Sequence, residues 1–124
     1  ARSRRLATFG VSAGGLPALR YGILGGAGRA VSVGGRFHWH VHRLRTGGEV
    51  PALDPLCACM TSRWPELVCV YSAGHPEDAA NAARLAAIGP VRLMPVEGVS
   101  QHNCIEPMLR AGRLPTFLEE VLGL

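Results

Sequence analysis

Several features that would point to familiar protein classes are missing from this chain of 124 residues. It is too short for a TIM barrel, which needs roughly 250 residues. No apolar run approaches the ~20 residues that a membrane-spanning helix requires. Hydrophobic residues make up 48% of the chain and charged residues only 18%, so the composition is that of a globular domain and not of a disordered chain.

Lysine is absent, and all thirteen basic residues are arginines. Residues 1–49 contain eight arginines and one acid, a net charge of +7, whereas residues 50–124 contain five arginines and eight acids, a net charge of −3. Arginine pairs bidentately with phosphate and carboxylate groups, although a GC-rich genome also favours arginine codons. The basic part is therefore predicted to bind an RNA or an acidic partner. The predicted binding residues are Arg2, Arg4, Arg5, Arg20, Arg29, Arg36, Arg43 and Arg45.

The first fifteen residues lack acidic residues and also lack the 7–15-residue apolar stretch of a secretory signal. They are rich in arginine, serine and alanine and do not begin with methionine, which is typical of a mitochondrial transit peptide or what remains of one. We therefore expect a mitochondrial protein, although a chain trimmed at its start would look the same.

The four cysteines do not form a C-x-x-C pair, the spacing typical of redox sites and zinc knuckles. Because Cys69 lies within an apolar strand pattern, we predict buried free thiols and not disulfides. His102 and Cys104 are too close in sequence for a nucleophile that is oriented by a base, which argues against a cysteine–histidine hydrolase.

Residues 1–35 hold more than half of the sixteen glycines and show no sustained hydrophobic period. Glycine-rich sequence without a period is typical of irregular structure. We therefore predict an irregular basic N-terminal extension over 1–35, ordered only against a partner.

From residue 36 onward, periodic patterns predict alternating strands and helices. Residues 36–44 alternate like a half-buried strand, and the apolar runs 67–71 and 91–96 read as two more strands. Helices are predicted over residues 54–63, 76–88 and 101–111, with Ser100 as the cap of the third, and Thr116 and Glu119 suggest a capping box for a last helix to residue 122. The order predicts a small α/β sandwich with a β-α-β-α-β-α core and a partly parallel sheet. The predicted units are the extension 1–35, a domain over 36–111 and a helical C-terminal extension over 112–124.

Three histidines alternate along the first predicted strand. His38, His40 and His42 project to one face, as zinc sites built on strands require. A solvent- or partner-facing surface beside several arginines explains the same pattern, so we predict no metal and keep a metal-dependent hydrolase as an alternative.

Two glycine-rich stretches suggest phosphate binding. The segment around Gly26 and Gly28 does not fit the G-x-G-x-x-G pattern, whereas Gly47 and Gly48 follow a predicted strand and precede a helix, where backbone amides can bind an anion. The region around Gly47 resembles the first loop of two-domain glycosyltransferases, but such an enzyme needs a second, donor-binding domain. An isolated acceptor half is a further alternative.

Taken together, several short motifs resemble the small thioredoxin-like family that is shared by mitochondrial ribosomal proteins and one accessory subunit of respiratory complex I. The resemblance covers residues 25–111. A G-x-G-R segment ends at Arg29, Trp64-Pro65 stands where the family has Asn-Pro, and Pro76 opens a helix that ends near Gly89.

This resemblance implies a thioredoxin-like fold without a redox motif and a non-enzymatic structural subunit of a large mitochondrial assembly. The partners would be rRNA and neighbouring ribosomal proteins, contacted through the arginines without reading of sequence. The alternative is an accessory subunit of complex I with acidic protein partners. Neither role implies a cofactor, a catalytic residue or a small-molecule substrate.

Overall fold

The computed structural model describes residues 3–36, 65–88 and 91–124, and these residues form four strands and four α-helices. The elements are β1 (Ser3–Val11), α1 (Gly15–Leu24), β2 (Ala27–Val33), β3 (Glu66–Ser72), α2 (Pro76–Ile88), β4 (Val91–Val96), α3 (Ile105–Arg110) and α4 (Leu114–Leu122). A short 3₁₀ turn over Ser12–Gly14 joins β1 to α1.

The four strands form one sheet in the order β1-β2-β3-β4, and every neighbouring pair is parallel. The continuous apolar sequence of β3 fits its place between two other strands, because such a strand is covered on both faces. The predicted α/β class with a parallel sheet is therefore confirmed, as are the strands predicted at 67–71 and 91–96 and the helix predicted at 76–88.

Helices cover the two faces of the sheet, and each face has its own apolar core. On one face, Ala30, Leu67 and Cys69 pack against α1 and α2. On the other face, Val31 and Val68 belong to a cluster that includes side chains of α3 and α4. Adjacent strand residues thus point to opposite layers, as the two-residue period of a strand requires.

The N-terminal part differs most from the prediction: the irregular extension expected over residues 1–35 is wrong. Residues 3–33 contain β1, α1 and β2, and the two strands are half of the four that form the described sheet. Glycine here permits close packing and does not mark irregular chain. A Cβ at Gly22 would lie 2.6 Å from the Cβ of Ala30, so the missing side chain allows α1 to approach β2.

The two C-terminal helices also begin at other residues than predicted. The helix expected over 101–111 begins only at Ile105, where the side chain of Asn103 accepts a hydrogen bond from the Ile105 amide at 3.1 Å. Ser100 is therefore not its cap. The last helix begins at Leu114, so Thr116 lies within it and is not a capping residue.

Other predictions lie outside the described residues. These are the strand at 36–44 beyond its first residue, the helix at 54–63 and the anion-binding glycines 47 and 48. No helix among the described residues is long and apolar enough to cross a membrane.

At the amino-terminal edge of the sheet, Arg29 connects three elements. Its guanidinium donates to Glu66 Oε2 from Nε at 3.1 Å and from Nη2 at 2.6 Å, and Nη1 donates to the carbonyls of Glu120 and Val121 at 3.0 Å. Carbonyls at a helix C-terminus lack partners within the helix, so a cation there is favourable. This predicted partner-binding arginine thus joins β2 to β3 and to the end of α4.

We expect Cys69→Asp to destabilise the fold by several kcal/mol, because Cys69 is only 2% exposed and a carboxylate there would lie within an apolar cluster. Leu93→Asp is a matched control, since Leu93 is the direct neighbour of Cys69 on β4 but is 37% exposed. Urea unfolding should show a far larger loss for Cys69→Asp. Equal losses would contradict the described burial of β3.

The same thiol predicts a loss of stability at alkaline pH. Burial raises the pKa of Cys69 from 9.0 to about 12, with a smaller contribution from the Asp78 carboxylate. Between pH 9 and 12 the unfolded chain loses this proton while the folded chain keeps it, so the free energy of unfolding decreases as pH rises. Burial also raises the pKa of the Cys104 thiol, so Cys104 contributes to the same decline and keeps part of it when Cys69 is replaced. Cys69→Ala should flatten the decline in urea unfolding between pH 8 and 11, and parallel profiles would count against the prediction.

Candidate functional site

Polar side chains from three different connections meet at the carboxyl edge of the sheet. Ser12 follows β1, Asp78 lies in the first turn of α2 after β3, and His102 lies in the loop after β4. Because all four strands are parallel, their carboxyl ends lie at one edge, which is where open α/β sheets bind their ligands.

Ser12 has an unusual backbone conformation. Its φ is +54°, which makes it the one residue other than glycine with positive φ among those the structure describes. A non-glycine residue in this region is strained, and such strain is concentrated at functional sites. The turn is held by the Arg36 amide, which donates to the carbonyl of Ser12 at 3.0 Å. The strained turn brings the hydroxyl of Ser12 to the start of α1.

Glycine is required on the strand side of this turn. A Cβ at Gly10 would lie 1.9 Å from the carbonyl oxygen of Gly14 and 2.9 Å from the Cβ of Ala18. No side chain fits at such distances, so residue 10 must be glycine for the strand to turn directly into the helix. A Cβ at Gly14, by contrast, would meet nothing within 4 Å.

His102 connects the serine to the carboxylate. Its Nε2 lies 2.9 Å from the Oγ of Ser12, and its Nδ1 lies 2.6 Å from the Oδ2 of Asp78. An ionised carboxylate only accepts hydrogen bonds, so Nδ1 of His102 is the donor. In the neutral imidazole Nε2 is then unprotonated, and it accepts a hydrogen bond from the Ser12 hydroxyl.

The Asp78 carboxylate is buried, with its side chain only 3% exposed, whereas the His102 side chain is 26% exposed. Asp78 belongs to the first turn of α2, where the partial positive charge of the helix N-terminus stabilises an anion. The carboxylate of Asp78 is thus shielded from solvent, whereas the imidazole of His102 is partly accessible to it.

Hydrogen bonds join the segment between β3 and α2, which precedes Asp78, to the loop that carries His102. The Ala73 amide donates to the carbonyl of Val96 at 3.0 Å, and the Gly74 amide donates to that of Val99 at 2.9 Å. The hydroxyl of Ser72 donates to the carbonyl of Gln101, next to the histidine. These bonds hold the segment that leads to the carboxylate next to the segment that carries the imidazole.

The end of β2 completes the floor of the site at Gly34. Its φ is +56°, and a Cβ there would lie 3.4 Å from Cε1 of His102 and 3.6 Å from Oδ2 of Asp78. The positive φ, together with the 3.2 Å that would separate a Cβ from the His102 carbonyl oxygen, favours glycine at this position beside the imidazole and the carboxylate.

This arrangement can activate a hydroxyl nucleophile. A serine, a histidine and a buried aspartate joined by two hydrogen bonds of 2.9 and 2.6 Å have the roles of nucleophile, general base and orienting acid. The backbone amide of Ala13, directly after the serine, lies at the start of a helical turn, where amides lack intrahelical acceptors and can bind an oxyanion.

A second histidine lies beside the carboxylate. Nδ1 of His75 is 3.3 Å from Oδ2 of Asp78, and the Asp78 amide donates to the same nitrogen at 3.2 Å. The rings of His75 and His102 have centroids 5.6 Å apart. One ligand atom from each of these three residues lies within 4.8 Å of the others, so among the described residues this is the group that could hold a metal ion.

The sequence-predicted site residues do not come together in the described structure. Arg20 and Arg36 are exposed, and Arg29 is engaged within the fold. The remaining candidates lie outside the described residues or have undescribed side chains, namely Arg2, Arg4, Arg5, Arg43, Arg45, His38, His40 and His42. Nothing in the structure tests whether they bind a partner or a metal.

Sequence reasoning missed all three residues of the group. A local signal for one of them exists: Gly10-Val11-Ser12-Ala13-Gly14 reads G-x-S-x-G, the motif that places a nucleophilic serine between a strand and a helix. The chain order serine, aspartate, histidine also matches that of enzymes with this motif. The prediction of irregular chain over residues 1–35 leaves no strand and helix on either side of this motif, and that context is what identifies the serine.

No protein-family model, curated protein or solved structure matches the chain. The functional conclusion therefore depends on the geometry of these side chains.

Strain at Ser12 predicts an unusual effect of glycine. We expect Ser12→Gly to be more stable than Ser12→Ala by about 1 kcal/mol, because glycine adopts φ of +54° without steric cost. At Arg20, an exposed position in α1, the change to glycine should instead cost about 1 kcal/mol relative to alanine. Thermal or urea unfolding of the four variants checks both signs, and a cost of glycine at both positions would contradict strain at Ser12.

Proposed function

We propose that this chain is a serine hydrolase that cleaves carboxylic esters, with Ser12 as nucleophile, His102 as general base and acid, and Asp78 as the orienting carboxylate. The observation that carries the proposal is the hydrogen-bonded series from Ser12 Oγ to His102 Nε2 and from His102 Nδ1 to the buried Asp78. The positive φ of Ser12, within a G-x-S-x-G turn between a strand and a helix, supports it independently.

The reaction proceeds in two acyl transfers. His102 accepts the hydroxyl proton while Ser12 Oγ bonds to the ester carbonyl carbon, and the ester C–O bond then breaks as the alcohol takes that proton from His102. Water next attacks the acyl group and gives its proton to His102. The carboxylic acid leaves, and the proton returns to Ser12.

Each surrounding group has a part in these steps. Asp78 accepts from Nδ1 of His102, which keeps the imidazole in the tautomer that can take a proton and stabilises the imidazolium that forms. The Ala13 amide donates to the oxygen that becomes negative when the carbonyl carbon is attacked. A donor that is in place beforehand needs no reorganisation during the reaction.

An ester is the substrate class that this machinery fits most directly. The group acts on an acyl carbon and needs a leaving group that His102 can protonate, and an alcohol meets that requirement. The arrangement resembles the nucleophile elbow of α/β-hydrolases, a likeness of geometry that does not identify the natural ester.

The expectation of a non-enzymatic, thioredoxin-like subunit of a mitochondrial assembly stays a prediction, as does the mitochondrial location. Exposed Arg20 and Arg36 are available to an anionic partner, but Arg29 already binds Glu66 and the end of α4. Co-purification with ribosomal particles or with complex I would support that role.

A fluorophosphonate probe tests the proposal, because it reacts covalently with activated serines and with few others. We expect intact-mass spectrometry to show one adduct on the wild-type protein, mapped to Ser12. Ser12→Ala and His102→Ala should abolish the adduct. Asp78→Asn should slow hydrolysis of p-nitrophenyl butyrate by about 10³–10⁴-fold, since an amide favours the wrong histidine tautomer.

Ser32→Ala is the matched control for these variants. Ser32 is a buried serine on β2 whose Oγ has no hydrogen-bond partner in the described structure, so its removal should leave the fold intact. It should be labelled and should hydrolyse the ester like the wild type. A folded wild-type protein without an adduct, or a Ser12→Ala protein that is labelled equally, would refute the proposed function.

A further inference from the structure

His75 has no role in the proposed hydrolysis, yet it approaches the carboxylate on which the reaction depends. Nδ1 of His75 and Nδ1 of His102 both face the same oxygen, Oδ2 of Asp78, at 3.3 Å and 2.6 Å. The His75 side chain is 25% exposed and that of His102 is 26% exposed, so both imidazoles beside this oxygen are partly accessible to solvent.

The two distances to the Asp78 oxygen can be compared with those in a zinc site. Zinc binds histidine nitrogen and carboxylate oxygen at about 2.0–2.1 Å in a tetrahedral arrangement, which separates neighbouring ligand atoms by roughly 3.3–3.4 Å. The distance from His75 Nδ1 to Asp78 Oδ2 already has this value, at 3.3 Å. The contact from His102 Nδ1 to Asp78 Oδ2 must open by roughly 0.7 Å.

We propose that His75, Asp78 and His102 form an inhibitory site for zinc, or for another transition-metal ion that prefers imidazole ligands. Two histidines and one carboxylate are an established ligand set for zinc, with water as the fourth ligand. All three ligand atoms lie within 4.8 Å of one another without any movement of the backbone. This inference rests on the proposed function for its effect on catalysis but not for the binding itself.

Binding replaces hydrogen bonds with metal bonds. The ion takes the position of the Nδ1 proton of His102, and the neutral imidazole then carries its one proton on Nε2. The ion also binds the lone pair of His75 Nδ1. This breaks the 3.2 Å hydrogen bond that Nδ1 accepts from the Asp78 amide. Asp78 then no longer accepts from His102, and Nε2, which faces Ser12, is protonated and cannot accept the hydroxyl proton during catalysis.

The ligand chemistry also defines which ions should have no effect. Magnesium and calcium prefer oxygen ligands and higher coordination numbers, and this group has one carboxylate and two imidazoles. Both ions should leave hydrolysis unchanged at concentrations at which zinc inhibits.

The test measures hydrolysis of p-nitrophenyl butyrate as a function of zinc chloride concentration, with and without a chelator. We expect zinc to inhibit the wild-type protein and the chelator to restore activity. His75→Asn should hydrolyse the ester at close to the wild-type rate without zinc. The zinc concentration for half-inhibition should rise by about tenfold or more, because loss of a ligand weakens metal binding at least as much as loss of a supporting group.

Asparagine suits this test because His75 occupies the N-cap position of α2. Its ring accepts from the Asp78 amide and its carbonyl accepts from the Ala79 amide at 3.0 Å. Asparagine and serine are preferred at that position, so His75→Asn and His75→Ser both keep a cap while removing the imidazole. If both variants show the same weakened inhibition by zinc, the cause is the missing imidazole ligand and not a change at the start of α2.

Combined substitution of His38, His40 and His42 by alanine is the matched control, since it removes three imidazoles elsewhere in the chain. Inhibition of this variant should equal that of the wild type. Equal inhibition of His75→Asn and wild type, or inhibition that disappears only with these three histidines, would overturn the proposal.

A direct measurement of zinc binding distinguishes failure of the metal site from failure of the proposed function. Calorimetric titration of Ser12→Ala with zinc chloride should show one bound ion, and Ser12→Ala combined with His75→Asn should lose it. If this result holds but the wild-type protein hydrolyses no ester, the proposed function fails and the metal site stands. Ester hydrolysis without zinc binding to Ser12→Ala would refute the metal site alone.

Discussion

The parallel pairing of four strands is the constraint on which the candidate site depends. Ser12 and His102 are 90 residues apart in the chain, and Asp78 and His102 are 24 apart, yet they lie within 2.9 and 2.6 Å. Each follows the carboxyl end of a different strand, and parallel pairing in the order β1-β2-β3-β4 brings those ends to one edge. The apolar layers on the two faces keep the sheet, and therefore the edge, in place.

Close backbone packing and local strain surround this edge. A Cβ at Gly10 would collide with the backbone of Gly14, and Gly34 and Ser12 both adopt a positive φ, which is costly for any residue with a side chain. Strain of this kind persists only where the surrounding structure enforces it. The carboxylate of Asp78 is likewise held in a buried position, facing both His102 and His75. One buried oxygen therefore links the proposed catalysis to the proposed inhibition by metal.

Local patterns predicted the elements whose signals are local. The apolar run of β3 and the alanine-rich helix α2, with its acidic first turn, could be identified from neighbouring residues alone. The first β-α-β unit was missed because its glycines were interpreted as irregular chain, whereas Gly22 fits the packing of α1 against β2. The serine of the site could have been found from its G-x-S-x-G motif. Asp78 and His102 have no comparable local signal, because their roles come from contacts between distant segments.

The sequence by itself determined the α/β class, the burial of the central strand with its free thiol, and an excess of positive charge in the first 49 residues. These follow from composition and from periods of two and 3.6 residues, which are properties of neighbours in the chain. Only the tertiary structure decided that Ser12, His102 and Asp78 form one hydrogen-bonded group and that His75 joins them. Hydrogen bonds of this kind depend on distances in space, and only the pairing and register of the strands bring such distant residues together.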